Sequence, residues 1–199
     1  VILPPDRRIR GVRDSKILSC LERERLARVI RRNAVAIGIG ICTIEEIDRM
    51  NILRASLEAM QRALKTLTPF ADYALVDGNQ PLPEPPCPFK LVVGGDDLCY
   101  VIAASSIIAK VERDRIMVEL HEQHPDYQFA SNKGYGTPEH YDVLELIGPS
   151  PCHRRSFRLK REHADQTDLF AEARIERTTL STASPTDSLS RSTTRSADS

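Results

Sequence analysis

The sequence carries no net charge, because its 28 lysine and arginine residues are balanced by 28 aspartate and glutamate residues. Any attraction to a polyanion must therefore come from local clusters of charge. The five cysteines are odd in number, widely spread and include no C-x-x-C pair, so neither a zinc site nor a disulfide framework is encoded. A reducing, cytoplasmic location is the simplest expectation.

Several other features are missing. No apolar run approaches the roughly 20 residues that a membrane-spanning helix needs, so we expect no membrane contact. There is no G-x-x-x-x-G-K-[ST] motif, and the "GIG" at 38–40 lies inside an apolar run rather than in a dinucleotide-binding loop. The "HEQH" at 121–124 lacks the histidine spacing of H-E-x-x-H and is typical of a solvated helix end. ATP, NAD and zinc-protease chemistry are therefore not indicated.

What is present is an alternation of helical and strand patterns. Apolar periodicity predicts helices over 19–32, 51–67, 101–123 and 137–148, with capping boxes starting at Ser19 and Thr43. Short apolar runs predict strands over 1–3, 34–42, 73–77 and 89–93. This alternation indicates one α/β domain over residues 1–161. The composition rich in Ser and Thr that follows predicts a disordered tail over 162–199.

Acidic side chains follow two of the predicted strands. Asp77 ends "YALVD", and Asp96 and Asp97 follow "VVGG". Because open α/β sheets bind ligands at the carboxyl ends of their strands, these carboxylates could gather a hard cation such as Mg²⁺ or Mn²⁺. Each stretch taken alone is equally typical of an ordinary turn or helix cap.

Basic side chains cluster in "HRRSFRLKR" at 153–161, which holds five arginine or lysine residues and no acid. Such a strip can contact phosphates, and a solvated charged terminus is the alternative. Lys16, in "RDSK" at 13–16, leaves the same two interpretations open. In "SNKGYGTPEH" at 131–140, two glycines flank Tyr135. Taken alone, a Gly-Tyr-Gly stretch is more typical of a plain turn with a packed ring.

Seven stretches occur in one order along nearly all of residues 1–160. They are "RDSKILS" at 13–19, "EEIDRMNILRASLEAMQRAL" at 45–64, "LVDGN" at 75–79, "GGDD" at 94–97, "IAASSIIAKVERDRIM" at 102–117, "NKGYGTPEH" at 132–140 and "HRRSF" at 153–157. Read in this order, they resemble the ribonuclease HII family. The resemblance implies a ribonuclease H-like mixed sheet flanked by helices, with a C-terminal helical part.

The resemblance also implies an activity. The family cuts the RNA strand of RNA–DNA hybrids, including single ribonucleotides within duplex DNA, with Mn²⁺ or Mg²⁺, and leaves 5′-phosphate and 3′-hydroxyl ends. Asp77 and Asp96 match two of its four metal-binding carboxylates. Asp96 is chosen over Asp97 because its interval to Ser106 and Lys110 fits the family pattern. The implied partner is an RNA–DNA hybrid or DNA with embedded ribonucleotides, bound by a monomer.

Substrate-binding roles follow from the same match. Tyr135 corresponds to the tyrosine that packs on a sugar at the RNA–DNA junction, and a phenol offers both a ring face and a hydrogen bond to a 2′-hydroxyl. Lys133 would hold an adjacent phosphate. The other substrate-binding candidates are Lys16, Ser106, Arg154 and Arg155.

The sequence departs from the family pattern in two places. Asn132 stands where the family usually has histidine. The "DEAGRG"-type segment, which supplies the other two carboxylates and a central strand, would precede Val1, so we expect the natural chain to start upstream. If it does not, the alternative is a nucleic-acid-binding remnant of the family that does not cleave.

Overall fold

The computed structural model describes residues 1–6 and 8–156 of the 199-residue chain. It confirms an α/β fold, rich in helix, with a small sheet. The elements are α1 (Cys20–Asn33), α2 (Ile44–Met50), α3 (Ile52–Lys65), β1 (Ala74–Asp77), β2 (Phe89–Val92), α4 (Gly95–Leu98), α5 (Tyr100–Gln123), α6 (Phe129–Asn132) and α7 (Pro138–Ile147). The predicted tail over 162–199 lies outside the described residues.

Helices α1 and α5 form the main core. Ser19 and Glu22 make the predicted capping box, with each side chain bonded to the other residue's backbone N–H, and this starts α1. Leu26 and Ile30 of α1 are buried against Ile107 and Ile108 in the first half of α5. The prediction that this half of α5 is buried is therefore confirmed.

The sheet contains two parallel strands. In β1 and β2, Ala74 pairs with Phe89 and Asp77 pairs with Val92. Because the strands are parallel, their carboxyl ends lie at the same edge. Asp77, the last residue of β1, and the segment after β2 that leads to Asp96 therefore lie at the same edge of the sheet.

The predicted strand over 34–42 is wrong. The structure forms only one isolated bridge there, in which the Ile2 N–H donates to the Ala36 carbonyl at 2.8 Å. A Cβ at Gly38 would lie 2.0 Å from the Ala63 carbonyl oxygen. A β-branched run favours extended backbone, but a strand also needs a ladder partner, and this segment packs against the backbone of α3 instead.

The remaining helices follow the sequence signals. The capping box of Thr43 and Glu46 starts α2, and Asn51 caps α3, which confirms the helix predicted over 51–67. Thr137 caps α7, and Gly148 ends it. The four-residue helices α4 and α6 were not predicted. No helix in the described part of the chain is long and apolar enough to cross a membrane.

Candidate active site

Asp77 and Asp96 meet at the carboxyl edge of the sheet. Asp77 is the last residue of β1, and its Oδ1 accepts a hydrogen bond from the Gly95 N–H at 2.8 Å. Asp96 is the next residue along, within α4, and only 6% of its surface is exposed. The structure therefore brings together the two carboxylates that the sequence singled out, with Gly95 as the link between them.

Lys16 lies against this edge. Its Nζ is 2.7 Å from Asp96 Oδ2, although the lysine side chain is 70% exposed and the aspartate side chain only 8%. The hydrogen bond from Lys16 lowers the pKa of Asp96, and the same contact raises the pKa of Lys16. Asp77 also contributes to the raised pKa of Lys16. Asp96 is therefore held as a carboxylate beside a cation.

The acidic edge fits a divalent cation in the type of ligand it offers. Carboxylate oxygens are the donors that Mg²⁺ and Mn²⁺ prefer. Asp96 supplies such oxygens from a buried position, beside the Lys16 ammonium group. The number of ligands is small, however. Within residues 1–6 and 8–156 there is no group of three or more His, Cys, Asp or Glu side chains that could hold a metal ion.

Tyr135 lies on a loop whose shape is set by Asn132. Asn132 ends α6, and Lys133 and Gly134 then take left-handed conformations, with φ of 52° and 73°. The Asn132 side chain accepts from the Gly134 N–H at 2.8 Å, and the Asn132 carbonyl accepts from the Tyr135 N–H at 2.9 Å. The loop presents the Tyr135 side chain at the surface, 57% exposed.

Arg113 of α5 supports this loop, and the sequence did not predict it. Its guanidinium lies 4.4 Å from the centroid of the Tyr135 ring, close enough for a cation–π contact. Nη1 donates to the Tyr135 hydroxyl at 3.1 Å, and Nη2 donates to the Lys133 carbonyl at 2.5 Å. It lies within the family-like stretch at 102–117, but a motif on one helix does not reveal contact with a distant loop.

Two histidines connect the loop region to the C-terminal segment. The Ser150 N–H donates to His153 Nδ1 at 3.0 Å, so His153 carries its proton on Nε2, which faces His140 Nε2 at 3.3 Å. On the other side of the His140 ring, Nδ1 lies 3.1 Å from Asn132 Nδ2 and 3.3 Å from the Tyr127 carbonyl oxygen. The bond that His153 Nδ1 accepts from the Ser150 N–H requires a neutral His153 ring. Burial is the main cause that lowers the pKa of His153, which favours that state.

The backbone of the basic strip is anchored by Asp48 of α2. Asp48 Oδ2 accepts from the Arg155 N–H at 2.9 Å, and Oδ1 accepts from the N–H and hydroxyl of Ser156 at 3.0 and 2.6 Å. These bonds lower the pKa of Asp48. The part of the strip at 157–161 lies outside the described residues.

Most of the candidate residues line one cavity of about 1560 Å³. Lys16 and Asp96 do not line it and instead form the adjoining contact described above. The candidates on the cavity wall are Asp77, Ser106, Lys133, Tyr135, Arg154 and Arg155.

Comparison with known proteins adds independent information. The family model "Ribonuclease HII" matches residues 4–160. A Ribonuclease HII from Idiomarina loihiensis is 49% identical over 157 residues, which cover 79% of this chain and 83% of that protein. A Ribonuclease HII from an Anaeromyxobacter species is 49% identical over 174 residues, which cover 85% of this chain and 55% of that longer protein.

Solved structures agree on the fold. The ribonuclease H2 from Pyrococcus horikoshii OT3 has a TM-score of 0.61 at 22% identity, and the match covers 83% of this chain and 82% of that one. The RNase HII of Archaeoglobus fulgidus, solved in complex with PCNA, has a TM-score of 0.56 at 27% identity over 78% of this chain and 82% of that one. The chain belongs to the ribonuclease HII family.

Proposed function

We propose that the protein is an endoribonuclease that hydrolyses the RNA strand of RNA–DNA hybrids, including single ribonucleotides in duplex DNA, and leaves 5′-phosphate and 3′-hydroxyl ends. The observation that carries the proposal is the pairing of Asp77 and Asp96 at one sheet edge through the Gly95 amide. Membership of the ribonuclease HII family supports the choice of substrate. We also propose that the protein acts as a monomer in the cytoplasm.

Asp77 and Asp96 would hold Mn²⁺ or Mg²⁺. A bound ion of this type lowers the pKa of a water molecule and stabilises negative charge on phosphate oxygens. Gly95 restrains the Asp77 carboxylate by donating to its Oδ1. Lys16 keeps Asp96 ionised and places a positive charge where a phosphate would approach.

Tyr135 would test the sugar. Its exposed phenol can pack on a ribose and share a hydrogen bond with a 2′-hydroxyl, the group that distinguishes RNA from DNA. Lys133, Arg154 and Arg155 would contact neighbouring phosphates, because they line the same cavity as Tyr135. Ser106 lines that cavity too and offers a hydroxyl.

The test compares three single-charge changes in one region. Asp77→Asn and Asp96→Asn should each lower cleavage of a duplex with one ribonucleotide by at least about a thousandfold, because each removes a charged metal ligand. Binding of the same duplex in EDTA should persist. Asp97→Asn is the matched control, because Asp97 is the exposed neighbour. Full activity of Asp77→Asn would remove Asp77 from the metal site.

A second candidate function is binding without cleavage. It is favoured by the absence, within the described residues, of any metal-ligating group with three members. Incubation of the 199-residue chain with Mn²⁺ and a duplex containing one ribonucleotide separates the two functions. A nick at the ribonucleotide supports the enzyme, whereas a gel shift with no nick supports the binding protein.

A further inference from the structure

The position of Lys16 poses a physical question. Its side chain is largely exposed, yet its ammonium group lies on a buried carboxylate. A long exposed lysine loses considerable rotamer entropy when it is confined to one geometry. The contact is therefore more favourable if the backbone of the loop is already fixed. Ser15 and Leu18, on either side of Lys16, are both buried, with 3% and 5% of their surfaces exposed.

Arg23 of α1 supplies that fixation. Its Nη1 donates to the carbonyls of Ser15 and Leu18 at 3.3 and 2.6 Å. One guanidinium nitrogen thus bridges the two residues that flank Lys16 and Ile17. Arginine suits this role because its planar fork keeps its donors in a fixed relation.

Asp114 of α5 holds Arg23 from the other side. Arg23 Nη2 lies 3.5 Å from Asp114 Oδ2, and both side chains are only 14% exposed. The Nε of Arg23 is buried without a hydrogen-bond partner. Because charges buried to this extent are costly when separated, removal of either partner should release the other and the carbonyls it holds.

We infer that Arg23 and Asp114 are a positioning pair that holds residues 15–18 so that the Lys16 ammonium lies on Asp96. Asp114 directly follows Arg113, which holds Tyr135 and the Lys133 carbonyl. Two adjacent residues of one helix therefore fix the two loops that would contact the substrate. The consequence for catalysis rests on the proposed function, since an error of about 1 Å between such groups can cost about a hundredfold in rate.

The kinetic test is a double-mutant cycle. Asp114→Asn should lower kcat/KM about tenfold through misplacement of Lys16, and Lys16→Met should lower it further. If Asp114 acts through Lys16, the double variant should match Lys16→Met rather than show the product of both losses. Independent, multiplicative losses would overturn the inference.

A matched control uses the same two helices. Arg31 of α1 pairs with Glu112 of α5 at 2.9 Å, away from the Lys16 loop. Arg31→Gln should leave kcat/KM unchanged. If Asp114→Asn fails to fold, Arg23→Lys takes its place in the cycle, because lysine keeps the charge but cannot bridge the carbonyls and Asp114 together.

A second measurement needs no substrate. The N–H groups of Lys16 and Ile17 donate to Asp14 at 2.9 and 3.3 Å. Amide hydrogen exchange at these two positions should quicken at least about tenfold in Asp114→Asn and stay unchanged in Arg31→Gln. Unchanged exchange in Asp114→Asn overturns the positioning role. Faster exchange in a protein that neither binds nor cleaves hybrids would retain that role and reject the proposed function.

Discussion

The acidic edge and the tyrosine loop hold their functional groups in different ways. At the acidic edge, the backbone positions the carboxylate, because Asp77 ends a strand and the Gly95 N–H donates to its side chain. At the tyrosine loop, side chains position the phenol. The Asn132 side chain accepts from the Gly134 N–H, and Arg113 donates to both the Lys133 carbonyl and the Tyr135 hydroxyl. The position of a group held by backbone atoms is sensitive to substitutions that add side-chain atoms beside that backbone. A group placed by side chains is sensitive to loss of single hydrogen-bonding atoms.

The largest effect on the tyrosine side should come from Asn132→Ala. Asn132 is buried, donates to the Tyr127 carbonyl at 2.7 Å and accepts from the Gly134 N–H. Its loss should lower the free energy of unfolding by about 2–3 kcal/mol, because buried polar groups lose their partners. Urea denaturation measures this change. Ser131→Ala, at the exposed neighbour, is the control, and an equal loss in both variants would contradict a special role for Asn132.

Gly95→Ala should show that the acidic edge depends on shape. An added Cβ would lie 2.5 Å from Ile102 Cδ1 and 3.2 Å from Asp77 Oδ1. We expect a loss of about 2 kcal/mol in the free energy of unfolding, since Ile102 is buried and cannot move freely. Gly136→Ala is the counterpart in the tyrosine loop, where the added Cβ meets the end of the Tyr141 side chain at 2.8 Å. Thermal melts that rank Gly136→Ala as the more damaging change would reverse the comparison.

Arg113→Lys should affect recognition more than stability. Lysine keeps the positive charge but cannot bond the Tyr135 hydroxyl and the Lys133 carbonyl together. The preference for a duplex with one ribonucleotide over all-DNA duplex should fall about tenfold, in line with the loss of one cation–π contact and its hydrogen bonds. Fluorescence anisotropy with both duplexes measures the ratio. Arg115→Lys, on the exposed side of α5, should leave it unchanged.

The smallest effect should be the dependence of stability on pH. Burial lowers the pKa of His153 below the ordinary value of 6.5. The unfolded chain therefore takes up a proton at higher pH than the folded chain does. The stabilisation from neutral His153 is complete above about pH 6.5 and declines as the pH falls below it. Urea midpoints at pH 7.5 and 5.5 should show this decline in the parent protein and less of it in His153→Gln.

This difference between the regions also explains what the sequence could predict. Asp77 ends one apolar run, and Asp96 follows another after two glycines, so local pattern was enough to place an acidic residue after each strand. The choice of Asp96 over Asp97 came from the family match. Arg113 and Arg23 act on segments that are distant in sequence, and no local pattern encodes such contacts. The tyrosine loop was recognised by its resemblance to a family motif, whereas its physical supports emerged only from the structure.

The error at 34–42 has the same origin. Its composition predicts extended backbone, but whether an extended segment joins a ladder depends on what lies beside it. The helices were predicted well because capping boxes and 3.6-residue periodicity are properties of the segment itself. Strand pairing is a property of two segments.

The contact between 38–40 and α3 has a consequence for sequence variation. A Cβ at Gly40 would lie 1.9 Å from the Ala59 carbonyl oxygen, and Gly38 meets Ala63 in the same way. Ile39, between them, already carries a Cβ and is restricted instead by the packing of its partly buried side chain against the main core. Saturation mutagenesis of these three codons should therefore give almost no tolerated replacement at the outer two and mainly apolar replacements at the middle one.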